Sequence, residues 1–137
     1  MIQSSLRILL GVLFLVIIGS ANLGCTTQRN PDLVIVSGEV TYDGQAVPAG
    51  VVKIEPDASQ GGGGPADYAK IVKGRFETPK GVKPGAKIVS ITGYDGVAEA
   101  NDEEGMGFSM GAAIFSEYKT KIEVGDSDET RDFTIPK

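Results

Sequence analysis

Apolar and polar residues alternate in short segments along the chain after residue 33. In the first segment, Val36, Gly38, Val40 and Tyr42 fall on one face, and polar residues fall on the other. A period of two with one polar face predicts a half-buried β-strand. Comparable patterns recur to the end of the chain. The seven strands predicted in this way cover residues 36–43, 51–55, 68–72, 75–78, 87–92, 119–124 and 130–135.

Glycine and proline separate these segments. Asp43-Gly44 and Lys73-Gly74 have the composition of tight turns, because glycine tolerates positive φ, and Pro56 ends the second strand. No long segment has the 3.6-residue period of a helix, so the pattern predicts a β-sandwich. Its predicted core side chains are Val52, Ile54, Ala69, Ile71, Phe76, Val89, Ile91, Phe133 and Ile135.

Residues 57–67 are predicted to form a flexible loop. The four consecutive glycines at 61–64 have no side chains and lose much conformational entropy on ordering. A phosphate-binding loop would need G-x-x-x-x-G-K-[ST] or G-x-G-x-x-G between a strand and a helix, and neither motif is present. The pattern therefore favours a spacer.

The first 25 residues have the layout of a targeting segment. Arg7 supplies one positive charge, and residues 8–18 form a continuous apolar run. That run is shorter than the ~20 residues of a membrane span but fits the core of a signal peptide. Gly24-Cys25, which follows shortly after the run, resembles the lipobox of bacterial lipoproteins. The resemblance implies cleavage before Cys25, diacylation of its sulfur and acylation of the new amino group.

Two other outcomes are compatible with this segment. Gly19-Ser20-Ala21 satisfies the small-x-small rule of ordinary signal peptidase, and cleavage after Ala21 would secrete the protein with an unpaired thiol. Residues 6–23 could instead persist as a short, uncleaved anchor. The lipoprotein interpretation is favoured because a lone cysteine at this position is otherwise hard to explain. It divides the chain into a signal peptide (1–24), a polar tether (25–33) and one domain (34–137).

Composition excludes several classes of function. The chain has 137 residues, no histidine and one cysteine. The absence of histidine excludes Ser-His-Asp and Cys-His catalysis and HExxH zinc sites. A single cysteine excludes an internal disulfide and cysteine-rich metal sites. Without residues 1–25, 12 basic and 18 acidic side chains remain, so no basic patch is expected to bind nucleic acid.

Several runs in the domain resemble the carboxypeptidase regulatory-like family. Residues 37–52 (SGEVTYDGQAVPAGVV) are similar to its opening motif, and V-K-G-R-F at 72–76 stands where that family has D-G-R-F. The runs at 82–92 and 115–126 are similar to its later strands. The resemblance covers nearly all of residues 34–136. It implies a seven-stranded antiparallel Greek-key β-sandwich of the prealbumin, or transthyretin-like, type, and an accessory module rather than an enzyme.

The long acidic segment between Gly93 and Gly111 contains the candidate functional residues. Clustered carboxylates could bind Ca²⁺, which takes six to eight oxygen ligands, although crowded acids more often form a solvated loop. Its methionine and phenylalanine side chains could contact a partner or pack over the edge of the sandwich. The candidate residues are Asp95, Glu99, Asp102, Glu103, Glu104, Met106 and Phe108. A smaller acidic group, Asp126, Asp128 and Glu129, could complete a cation site, but the default prediction for it is a polar hairpin turn.

These observations predict a non-catalytic, lipid-anchored protein of the cell envelope that faces the extracytoplasmic side. The lipid on Cys25 attaches it to a membrane, and it acts as a structural or binding module. Its partner is expected to be an envelope protein or a polysaccharide, and no cofactor is expected. The alternative is a Ca²⁺-dependent carbohydrate- or protein-binding module that uses the 93–111 loop.

Overall fold

The computed structural model describes residues 29–97 and 110–137. These residues form nine β-strands and a single 3₁₀ turn at Ala58–Gln60. Within the two described ranges, no helix is long and apolar enough to cross a membrane. In chain order the strands are β1 (Val36–Tyr42), β2 (Gln45–Ala46), β3 (Ala49–Pro56), β4 (Asp67–Val72), β5 (Arg75–Glu77), β6 (Gly85–Tyr94), β7 (Tyr118–Val124), β8 (Glu129–Thr130) and β9 (Phe133–Ile135).

All nine strands belong to one strongly curled sheet, a half-barrel. Hydrogen-bonded neighbours follow the order β2-β1-β5-β4-β3-β6-β7, and the strand pairs along this path are antiparallel. The all-β, antiparallel part of the predicted fold class is therefore confirmed. The strand predicted at 130–135 differs from this pattern, because it divides into β8 and β9 and both run parallel to β1.

The division between β8 and β9 has a local cause. At this point the side chain of Asp132 accepts the hydrogen bond of the Glu39 amide at 2.9 Å, where a regular ladder would use a main-chain carbonyl. The backbone of Arg131 also approaches β1 so closely that a Cβ atom on Gly38 would overlap the Arg131 carbonyl group. Gly38 therefore allows the closing strands to reach β1.

The hydrophobic core lies on the inner face of the curled sheet. All nine predicted core side chains are buried, and Ile54 and Ile91 are completely inaccessible to solvent. The rings of Phe76 and Phe133 lie 5.7 Å apart, which joins β5 to the closing strand β9. Burial of each large apolar side chain contributes about 1.5–3 kcal/mol, so this face dominates the stability of the sheet. The remaining core residues are Val34, Val36, Val40, Val47, Val82 and Val124.

Phe115 covers the core where β3 and β6 carry a pair of glycines. Gly50 lies opposite Gly93 in the ladder between these strands. A Cβ atom on Gly93 would overlap the ring of Phe115, and that ring lies 5.0 Å from the ring of Tyr42. Glycine in the strand interior thus marks the close approach of an aromatic side chain.

The strand registers define two ends of the sheet. β1, β4 and β6 begin at one end, and β3, β5 and β7 finish there. We call this the tether end, because residues 29–33 lead into β1 there. The loops 57–66, 79–84 and 125–128 lie at the same end. The opposite, far end carries the turns at 43–44 and 73–74 and the base of the 93–111 loop.

Candidate functional site

Asp95 is the one candidate from Cys25 and the 93–111 loop that lies within the described part of the chain. The other predicted positions lie outside the described residues. Lipidation, calcium binding and partner contact at those positions therefore stay predictions. The positions concerned are Cys25, Glu99, Asp102, Glu103, Glu104, Met106 and Phe108.

Asp95 holds together the base of the 93–111 loop at the far end. Its amide donates to the carbonyl of Ala112 at 3.0 Å, and the Gly96 amide donates to the carbonyl of Met110 at 3.0 Å. One carboxylate oxygen, Oδ1, accepts hydrogen bonds from the amides of Val97 and Ala112 at 2.9 and 3.1 Å. Among the residues that the structure describes, no group of three or more His, Cys, Asp or Glu side chains is arranged to hold a metal ion.

The predicted loop at 57–67 contains no strand before Asp67, but both of its ends are fixed by buried carboxylates. Asp57 is 2% exposed and accepts hydrogen bonds from the amide and the hydroxyl of Ser59 at 3.0 and 2.6 Å. Its other oxygen lies 2.8 Å from the Lys121 ammonium on β7. The hydrogen bond from Lys121, together with those from Ser59, lowers the pKa of Asp57.

Asp67 fixes the other end of this loop. Its described contacts include no cationic side-chain group. It is 6% exposed, and its Oδ1 accepts a hydrogen bond from the Tyr68 amide at 3.0 Å. Its Oδ2 accepts hydrogen bonds from the amides of Lys80 and Gly81 at 3.0 and 2.9 Å. The carboxylate therefore links the 57–66 loop to the 79–84 loop through main-chain donors.

Lys87 is a buried cation on the inner face of β6. The residue is 3% exposed, and its ammonium group donates to the carbonyl of Pro84 at 3.3 Å. It borders a cavity of about 290 Å³ at the tether end, together with Asp57, Lys121 and Glu123. Burial lowers the pKa of Lys87, and the carboxylate of Glu123 acts in the opposite direction.

Replacing Lys87 with methionine is expected to stabilise the protein by about 1–2 kcal/mol, because an apolar side chain of similar length removes the desolvation cost of a weakly paired charge. Chemical denaturation near neutral pH measures the change, with Lys119→Met, at an exposed position, as the control. The gain should shrink as the pH rises, because native Lys87 loses its proton at a lower pH than the unfolded chain does. A variant less stable than the wild type would show instead that the ammonium group supports the fold.

The outer surface of β1, β5 and β4 forms a shallow trough of about 1050 Å³. Two apolar side chains on β4, Tyr68 and Val72, are 58% and 61% exposed in it. Arg75 on β5 lies 3.0 Å from the carboxylate of Glu39 on β1, which gives the trough a charged side. Its other polar lining residues include Ser37, Lys70, Glu77, Thr130 and Asp132.

The acidic group predicted at 126–129 connects β7 to β8, and two of its members pair with arginines. Asp128 binds Arg29 through both carboxylate oxygens. Glu129 lies 3.0 Å from Arg131, which also donates to the carbonyl of Glu123 at 3.1 Å. These pairs connect the start of the described chain and the closing strand to the end of β7.

Four residues that define these contacts are not among those predicted from the sequence. Lys87 lies on the same face as Val89 and Ile91 in the strand predicted at 87–92. The alternation of that strand therefore indicates a charged residue on the core-facing side. Tyr68 likewise occupies an outward position by the same alternation. The roles of Asp67 and Arg29 depend on partners distant in the chain, and no local pattern indicates them. Comparisons with family models, with curated proteins and with solved structures find no match to this chain.

Proposed function

We propose that this protein is a non-catalytic, lipid-anchored module of the cell envelope. The observation that carries the proposal is the order of its parts. The apolar run at 8–18 is followed by Gly24-Cys25, and Arg29, the first residue that the structure describes, already contacts the folded sheet through Asp128 four residues later. Two or three acyl chains on Cys25 would hold the domain firmly, since each buried CH₂ contributes about 0.8 kcal/mol.

The proposed fold of the module is the transthyretin-like sandwich of the carboxypeptidase regulatory-like family. Each of the seven predicted strands overlaps a strand of the half-barrel. The opening motif at 37–52 covers β1, the turn at 43–44 and the first half of β3, in the order that the resemblance implies. The proposal of this fold rests on these agreements in the positions and order of the strands.

Replacing Cys25 with serine is expected to remove the protein from the membrane fraction or to leave an uncleaved precursor, because serine offers no thiol for acylation. Fractionation of cells and mass spectrometry of the N-terminal peptide measure this result. Thr26→Ser, one residue further on, is the matched control and should be processed like the wild type. A Cys25→Ser protein that is cleaved and membrane-bound like the wild type would overturn the proposal. Cleavage after Ala21 in the wild type would do the same.

The trough suits a polysaccharide partner, and this gives the proposed module a binding activity. Sugar rings present flat apolar faces edged by hydroxyl groups. The exposed ring of Tyr68 offers a matching apolar surface. The neighbouring Glu39–Arg75 ion pair, with Ser37 and Thr130, offers donors and acceptors for hydroxyl groups.

Replacing Tyr68 with alanine is expected to weaken binding to isolated cell-wall sacculi about tenfold or more, because the aromatic ring is the main apolar contact surface in the trough. Co-sedimentation of the purified protein with sacculi measures the bound fraction. Tyr68→Phe keeps the ring and should bind like the wild type, and Lys119→Ala, outside the trough on β7, is the control. Equal binding by Tyr68→Ala, or no binding by the wild type, would contradict a polysaccharide site in the trough.

A further inference from the structure

Arg29 attaches the start of the described chain to the tether end of the sheet. Its guanidinium group binds both carboxylate oxygens of Asp128, with Nη1 2.8 Å from Oδ2, and it donates to the carbonyl of Leu33 at 3.1 Å. Asp128 also accepts a hydrogen bond from the Ile35 amide at 2.8 Å. The hydrogen bond from Arg29 lowers the pKa of Asp128 to about 2, so the pair stays ionised at neutral pH.

Arg29 lies only four residues after Cys25 in the chain. A segment of four residues spans at most about 14 Å even when fully extended. If Cys25 is acylated, as the proposed function states, the backbone of Arg29 must lie within that distance of the membrane surface, and Asp128 lies at most about one arginine side chain further away. The sheet therefore has little freedom to turn its far end toward the lipid while this ion pair is intact.

Two loops share the tether end with Arg29, and hydrogen bonds join one of them to the incoming chain and the two loops to each other. Val34 and Val82 exchange two such bonds, at 2.8 and 2.9 Å, which places the 79–84 loop beside the incoming chain. Asp67 in turn connects the 79–84 loop to the end of the 57–66 loop. The three segments thus form one continuous surface.

The charge on these loops differs from that of the whole chain. The 58–66 segment contains no charged residue, and the 79–84 loop contains Lys80 and Lys83 with no carboxylate, although the chain has a net charge of −5. Both lysines are exposed, whereas the carboxylates at the two ends of the 57–67 loop are buried. Basic residues close to a bilayer are attracted to anionic headgroups. Four acidic side chains, Asp32, Glu77, Glu123 and Asp126, are also exposed at this end, outside the two loops.

We propose that the 58–66 and 79–84 loops form a membrane-facing surface, which lies against the lipid headgroups while the far end points away from the bilayer. This orientation rests on the proposed lipid anchor. It directs the Asp95 loop base and the turns at 43–44 and 73–74 away from the membrane.

Fluorescence quenching in vesicles tests the orientation. The full-length, lipidated protein is placed in vesicles of phosphatidylethanolamine and phosphatidylglycerol that carry a headgroup-attached quencher. A fluorophore is attached to a new cysteine, either Gln60→Cys at the tether end or Gln45→Cys at the far end, both of which are exposed positions. The two ends are separated by about 30 Å, the length of the ten-residue strand β6. Quenching of the Gln60→Cys label should be at least about threefold stronger than quenching of the Gln45→Cys label. The reason is that quenching falls off over distances shorter than the separation between the two ends.

Variants at the ion pair test its role in the orientation. Asp128→Asn should reduce the difference in quenching between the two labels, because the amide cannot form the charged bidentate pair with Arg29. Glu117→Gln, which removes an exposed ion pair with Lys119 at 3.0 Å, is the matched control and should leave the difference unchanged. Circular dichroism of each variant confirms that the sheet is intact.

Two outcomes separate the anchor from the orientation. If the wild-type chain does not float with the vesicles, the proposed anchor fails and the orientation fails with it. If the chain floats but the two labels are quenched equally, or the Gln45→Cys label is quenched more, the anchor stands and the orientation is overturned. An Asp128→Asn protein with an unchanged difference would refute the role of the Arg29–Asp128 pair.

Discussion

The Gly38→Ala variant is expected to lose at least about 3 kcal/mol of its free energy of unfolding, because the new Cβ atom would overlap main-chain atoms. The Cβ atom would meet the carbonyl group of Arg131 and lie 3.1 Å from Oδ1 of Asp132. A main-chain carbonyl cannot rotate away as the end of a flexible side chain can. The clash must therefore push the closing strands away from β1. This displacement also moves the buried side chains of Phe133 and Ile135 on β9.

Urea denaturation followed by circular dichroism measures this loss. Gly63→Ala is the matched control, since no atom lies within 4 Å of a Cβ atom at that position and its φ is not in the left-handed region. It should change stability by less than about 1 kcal/mol, and in the stabilising direction, because alanine reduces the entropy of the unfolded chain. Equal stability of Gly38→Ala and the wild type would show that β8 and β9 do not approach β1 this closely in solution.

The Asp67→Ala variant is expected to lose about 2–4 kcal/mol, because three amide donors near the tether end lose their acceptor. The amide of Gly81 is buried, and its hydrogen bond to Asp67 holds the 79–84 loop in place. Without that acceptor, the loop must either move to reach water or leave buried N–H groups unpaired. Both outcomes also disturb the adjacent bridge between Val34 and Val82.

Graded substitutions show whether the acceptor oxygens of Asp67 matter. Asp67→Asn keeps one carbonyl oxygen and should lose less stability than Asp67→Ala. Asp126→Ala, at an exposed acidic position in the 125–128 loop, is the control and should stay within about 0.5 kcal/mol of the wild type. Hydrogen exchange at the Lys80 and Gly81 amides gives an independent measurement. If these amides stay protected in Asp67→Ala, the stability of the loop does not depend on this carboxylate.

Most of the strands could be predicted because their pattern is local. Alternation in β1, β3, β4 and β6 identifies the face that packs inward, and Gly44 and Gly74 mark turns at which the chain adopts positive φ. Burial of one face fixes the register of each strand, since a shift of one residue would expose the apolar set. Sequence patterns of this kind depend only on neighbouring positions and require no knowledge of distant contacts.

The other features depend on residues that are far apart in the chain. The parallel pairing of β8 and β9 with β1 brings together positions 93 apart, as in the hydrogen bond between Glu39 and Asp132. Alternation within residues 130–135 is the same whichever strand lies beside them, so it cannot distinguish parallel from antiparallel pairing. The Asp57–Lys121 and Arg29–Asp128 pairs could not be predicted for the same reason. Each joins a polar residue in a loop to a partner that is distant in the chain.

The position of β1 between β5 and the closing strands β8 and β9 has a consequence for the order in which the chain can fold. Among the described strands β1 comes first in the chain, but one of its two edges is completed only by β8 and β9, which come last. Until residues 129–135 are available, that edge presents unpaired N–H and C=O groups that can recruit strands from other chains. Shortened chains would keep this edge permanently, and intact chains must close a very long loop before β1 is protected. Aggregation of nascent or truncated molecules, rather than unfolding of finished ones, is thus the main hazard that this topology creates.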